Sequence, residues 1–195
     1  MLRKSLSTLP ATLDETYDRI LCAIDTEDSE YAIRILRWLA FSSRPLQVDQ
    51  ISEVIAIDPE RDPAFDKAVV LEDPSEVLSI CSSFVTVATM GPYKFVALGH
   101  YSVKEYLVSE RIRKGPAARY SMQPATCNEF IAKSCLGYLL QFQESGCFVD
   151  NAKFKLARYS AEFWITHAQA ASQKAEALNR LIMELFSTGD GAYRN

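Results

Sequence analysis

Between residues 30 and 110 the chain carries three helical signals, one hairpin signal and a further helical signal. Beyond residue 124 it carries amphipathic helical stripes with no strand signal. That order predicts a mainly α fold: a winged-helix lobe with a small β-hairpin wing, followed by an all-α helical lobe. A length of 195 residues, 48% of them hydrophobic and 24% charged, suits a chain that buries a core in two small lobes. The expected division is a helical linker over residues 1–28, a winged-helix domain over 29–112 and a helical domain over 113–195.

Each element follows from local chemistry. Thr12 and Glu15 form a capping-box pattern at the start of a helix whose Leu13, Tyr17, Ile20, Leu21 and Ile24 share one face. Asp25 to Ser29 interrupts the pattern. Tyr31 to Phe41 resumes it, with Ala32, Ile35, Leu36 and Leu39 inward, until Arg44-Pro45 stops it. A short helix over 48–57 turns Ile51, Val54 and Ile55 inward from Gln47, which is a poor cap. Pro59 and Pro63 make residues 58–68 a charged surface loop. Asp73-Pro74-Ser75-Glu76 supplies an N-cap, an N1 proline and an N3 glutamate, so a helix is expected over 74–82.

The β-branched and aromatic runs Phe84–Ala88 and Lys94–Leu98 flank Met90-Gly91-Pro92 as a two-stranded hairpin. Ser102 and Glu105 form a second capping-box pattern, with Tyr101 and Tyr106 as its hydrophobic staple. Residues 111–124, basic and interrupted by Gly115-Pro116, read as the connector between lobes. Three stripes then build the helical lobe. The first holds Cys127, Ile131, Cys135 and Tyr138, the second Leu156, Tyr159, Trp164 and His167, and the third Leu178, Leu181, Ile182 and Leu185.

Composition excludes several function classes. A net charge of −4 and a helix at 74–82 without Lys or Arg oppose binding to a phosphate backbone, so no nucleic-acid partner is expected. No apolar run spans a bilayer, and the expectation is a cytoplasmic chain with no membrane partner. Cys22, Cys81, Cys127, Cys135 and Cys147 lack paired spacing and read as reduced core thiols, with no metal site. A phosphate-cradling glycine loop is absent, and neither histidine stands beside a cysteine in sequence. The reading is a non-enzyme that carries no cofactor of its own.

Two histidines and one tryptophan are singled out. His167 and Trp164 share a helical stripe, and His167 reads as a half-buried structural group hydrogen-bonded within the helical lobe. Trp164 reads as a large core side chain beside Leu156, Tyr159 and Phe163. His100 stands between a strand and a helix start. There it either ties hairpin to helix or adds a donor where an anion would be favoured.

Several ordered motifs carry a family resemblance. They are Leu9-Pro10 with Leu13-Asp14, Tyr17 and Ile20-Leu21; Ile35-Leu36 with Trp38-Leu39; Leu98 and His100 with Ser102-Val103-Lys104-Glu105-Tyr106-Leu107; Cys135-Leu136 with Tyr138-Leu139; and Tyr159, Ala161, Trp164 and His167-Ala168. Together they resemble the region that follows the nucleotide-binding NACHT domain in fungal STAND-class signalling NTPases, whose winged helix is of the GPI inositol-deacylase type. The resemblance implies a regulatory module that packs on a NACHT domain in cis or in trans and relays its state to downstream ankyrin or WD40 repeats. It also places His100 where the family's Met-His-Asp histidine meets nucleotide phosphates, here between Gly99 and Tyr101. Met1 falls where the family would still be inside the NACHT domain, which gives the chain the look of a fragment. A free-standing interaction adaptor, derived by truncation, is the alternative expectation.

Overall fold

The computed structural model of the chain describes residues 12–142, 153–172 and 176–187. Leu9-Pro10 and Cys147, named above, lie outside the described residues. The first helix, α1 (Leu13–Cys22), is capped as the sequence predicts, with Thr12 Oγ1 accepting from the Glu15 N–H at 3.1 Å. It buries Tyr17 and Leu21, while Leu13 stays more than half exposed. Helix α2 (Ser29–Phe41) then sinks Ala32, Ile35, Leu36 and Trp38 into the core.

A short strand, β1 (Leu46–Gln47), precedes α3 (Val48–Ile55), and α4 (Glu76–Cys81) precedes the hairpin β2 (Val85–Met90) and β3 (Tyr93–Leu98). The sheet order is β1-β3-β2, antiparallel throughout, with Leu46 opposite Val96 and Val87 opposite Val96 on its other side. Three helices with a strand after the first, closed by a hairpin that pairs back onto that strand, make a winged helix. The third strand is absent from the sequence reading because two residues are too short to show an alternation. Gly91 turns the wing at φ 59°, a conformation that the first position of a two-residue hairpin loop demands and that other residues resist.

Three further expectations change. Helix α4 starts at Glu76, because Asp73 spends its carboxylate on the N–H and hydroxyl of Ser75 (2.9 and 2.6 Å), forming a turn ahead of the helix. The loop at 58–68 is not wholly on the surface. Phe65 is buried edge-on against Tyr138, with ring centroids 4.8 Å apart, and a bridge pairs Ile57 with Phe65. The supposed connector at 111–124 is packed: α6 (Glu110–Lys114) and the following turn bury Ile112, Ala117, Tyr120 and Met122. Its basic side chains point outward, and that surface chemistry masked an apolar inner face.

Helix α5 (Tyr101–Leu107) leaves the wing, and α7 (Pro124–Leu140), α8 (Ala157–Ala170) and α9 (Glu176–Ser187) form the helical lobe. One core runs through both lobes. Trp38 of α2 meets Tyr159 of α8 at a ring separation of 5.4 Å. Buried Glu53 of α3 accepts from Tyr138 Oη at 2.6 Å and from the N–H groups of Lys155 and Leu156 at 3.0 and 2.9 Å. A carboxylate placed there satisfies amide donors at the start of α8 that would otherwise be buried unpaired. Close approach also matters at Gly137 of α7, where an added Cβ would meet the Ala64 Cβ at 2.6 Å.

Candidate functional site

His100 follows β3 in extended conformation (φ −153°, ψ 147°) and is itself the N-cap of α5. Its Nδ1 accepts from the Ser102 N–H at 3.3 Å and lies 2.6 Å from Ser102 Oγ. Ser102 Oγ in turn is 2.7 Å from Tyr17 Oη of α1. An amide N–H can only donate, so Nδ1 is unprotonated and the ring proton resides on Nε2. Ser102 then donates its hydroxyl to Nδ1 and accepts from Tyr17. The Nε2 side of the exposed ring makes no hydrogen bond or ion pair among the described residues.

This geometry corrects the expected capping box. Ser102 is already inside the helix, so its hydroxyl cannot serve as the cap, and Glu105 is exposed without a reciprocal capping role. A cap must precede the first helical residue with an extended backbone, and His100 is the residue that does. The Tyr101–Tyr106 staple is also replaced. Tyr101 is 72% exposed and lies against the His100 ring at 4.3 Å, whereas Tyr106 is buried and donates to Asp18 Oδ1 at 2.7 Å. Burial, the Asp18 carboxylate beside it and a weaker push from Asp14 hold the Tyr106 hydroxyl protonated, well above the usual tyrosine range. Gly99 occupies the position before the cap and has no side chain with which to staple.

His167 occupies the opposite environment. It is 1% exposed, deeper than the half-burial expected, and both ring nitrogens are engaged. Nδ1 donates to Asn128 Oδ1 at 2.8 Å, and Nε2 accepts from Tyr159 Oη at 2.8 Å. Tyr159 Oη accepts from the Ser43 N–H at 2.9 Å, so the network reaches out of the helical lobe to the end of α2. Burial pulls the imidazole down to about 4, which keeps it neutral at physiological pH. Trp164 is half-buried, its ring 6.3 Å from that of Phe186, and it packs over Leu178 and the rest of a smaller cluster between α7, α8 and α9. The fully buried tryptophan is Trp38, which the sequence reading did not single out as a core anchor.

Other chemistry is sparse. Cys81, Cys127 and Cys135 are buried, and burial pushes the Cys81 and Cys135 thiols up to about 12, so neither is a thiolate at neutral pH. Cys22 is exposed, against the expectation of a core thiol, because it ends α1 on the side away from Tyr17 and Leu21. No group of three or more metal-ligating side chains comes together among the described residues. Nor is any described helix long and apolar enough to cross a membrane. A groove of about 1000 Å³ between α2 and residues 55–69 spends its main charges internally, with Arg34 bound to Asp58 at 2.9 Å and to the Ile55 carbonyl at 2.9 Å.

No solved structure matches the chain. The chain is 34% identical over 188 residues to the "Azaphilone pigments biosynthesis cluster protein L" of Monascus ruber, a match covering 93% of this chain and 40% of that protein. It therefore spans less than half the length of this relative. Residues 17–123, from the tyrosine that meets Ser102 to the residue before α7, match the winged helix domain of GPI inositol-deacylase. The chain belongs to the family of the GPI inositol-deacylase winged helix domain.

Proposed function

We propose that the chain is a non-catalytic regulatory module of a NACHT-type signalling NTPase, acting in the cytoplasm. It packs on a nucleotide-binding domain, in cis or in trans, and relays that domain's state to repeats beyond it. Membership of the winged-helix family supports the reading. So does α4, which carries Glu76 and no basic residue where a DNA-reading winged helix needs cations. The observation that carries it is the His100 ring. Nδ1 is committed to the fold, and Nε2–H is left as an outward donor with no partner among the described residues. Hydrolysis is disfavoured by the same atoms. Ser102 Oγ lies beside a base, but its other side is taken by Tyr17, and no carboxylate among the described residues orients the ring.

A nucleotide phosphate is the acceptor that suits such a donor, since a hydrogen bond to a charged group contributes about 1.5–3 kcal/mol. If this contact exists in the closed state alone, it biases a two-state equilibrium by its own free energy. The test joins the chain to its nucleotide-binding domain and replaces His100 by asparagine, which keeps a capping acceptor for the Ser102 N–H and removes Nε2. Nucleotide retention should weaken roughly 10- to 150-fold and the oligomeric state should shift. Unchanged affinity and oligomeric state in a folded variant would refute the phosphate contact. Binding to separately expressed full-length relatives, with no effect in cis, would favour the adaptor.

A further inference from the structure

We infer that Tyr17, Ser102 and His100 form a one-way hydrogen-bond relay that couples the docking of α1 to the state of the His100 ring. The direction follows from proton counting. Tyr17 O–H donates to Ser102 Oγ (2.7 Å), and Ser102 O–H donates to His100 Nδ1 (2.6 Å), which also accepts the Ser102 N–H (3.3 Å). Each hydroxyl thus uses its single proton in one direction, an arrangement in which each bond polarises the next. The opposite tautomer, with the proton on Nδ1, would set two donors, ring N–H and Ser102 N–H, against each other. It would also make Ser102 Oγ accept from the ring as well as from Tyr17, leaving the Ser102 hydroxyl proton with no partner in the trio.

The relay spans two elements that are far apart in sequence. Tyr17 lies on α1, the expected linker helix, and its ring also meets Phe84 and Tyr106 at 5.5 and 5.4 Å. The charged groups around it are engaged elsewhere: Asp14 pairs with Arg111 at 2.7 Å, Asp18 accepts from Tyr106, and Lys104 of α5 lies over the Phe41 ring. Tyr17 is therefore a contact through which α1 senses the imidazole. An acceptor placed on Nε2–H would shift electron density toward Nδ1, strengthen both bonds behind it and hold α1 more tightly, and its departure would loosen α1. That consequence rests on the function proposed above, whereas the relay itself does not.

The relay is read on the 195-residue chain alone. Nitrogen NMR of the His100 ring, at a pH where histidine is neutral, should show the proton on Nε2. Tyr17→Phe and Ser102→Ala should each raise the Nδ1–H tautomer and the amide exchange of α1 about five-fold, one hydrogen bond's worth. The double variant should be no worse than either single change, because both cut the same chain. A ring protonated on Nδ1, a tautomer indifferent to Tyr17→Phe, or strictly additive effects would overturn the relay. Tyr17→Phe preserves ring packing, and the tautomer of the wild-type ring is an independent readout should Ser102→Ala fold poorly. Nucleotide affinity plays no part in these measurements, so the relay can stand when the phosphate contact fails, and the reverse.

Discussion

The two histidines of this chain receive opposite treatment. His100 is exposed on the winged-helix lobe with one nitrogen committed, and His167 is sealed in the helical lobe with both committed. A buried ring with both nitrogens bound to neutral partners ties its neighbours together and has no nitrogen left to offer. A ring fixed by one nitrogen and exposed at the other turns its second nitrogen toward solvent. The two tryptophans divide the same way, with Trp38 fully buried and Trp164 half-buried over the small α7–α9 cluster.

The largest effects should come from the buried members. Trp38→Ala should cost about 3–5 kcal/mol, since the indole bridges α2 and Tyr159 and the cavity cannot collapse without separating the lobes. Trp164→Ala should cost about half that, because part of its surface is already in water. Urea melts of the two variants decide the point, and equal losses would mean that the small cluster is as tightly held as the main core. Next, His167→Ala should cost about 2–4 kcal/mol, leaving the buried Tyr159 hydroxyl proton without its acceptor and the half-buried Asn128 Oδ1 without its donor. Calorimetry checks this, and a loss under 1 kcal/mol would show that water replaces the ring.

The comparison also has a pH signature. The unfolded chain binds a proton at His167 near pH 6.5, and the folded chain resists it until about pH 4. Between those values the unfolded state holds more protons, so stability is complete above about 6.5 and is lost as pH falls toward 4, by up to about 3 kcal/mol. Denaturant midpoints across that window should fall in the wild type and fall much less in His167→Gln; parallel curves would assign the acid sensitivity to other groups. The smallest effect belongs to the exposed ring. His100→Ala should cost about 1 kcal/mol by removing the cap of α5, and His100→Asn only a few tenths. If the asparagine variant loses as much as the alanine one, Nδ1 is not the capping atom.

Much of this was legible in the sequence, and what was missed has a common cause. The helix spacing, the Thr12 cap, the Gly91 turn and the acidic face of α4 are determined by residues within about four positions of one another, where backbone sterics and amphipathic period act directly. The same local chemistry misassigned Ser102. It matches a cap by pattern, but which residue caps is decided by where the backbone leaves β3, and that depends on how the wing pairs. Strand β1 became visible only through its partner β3, 50 residues on by the Leu46–Val96 pairing. The burial of Phe65 required α7 to be in place, that of Ile112 required α1 to pack on α6, and the depth of His167 required Ser43 to reach Tyr159 across the lobes. By itself the sequence determined the elements, their order and the class of fold, because those are short-range free energies summed along the chain. Tertiary structure alone decided which polar groups meet, since a hydrogen bond between Tyr17 and Ser102, 85 residues apart, is specified by packing and by no local pattern.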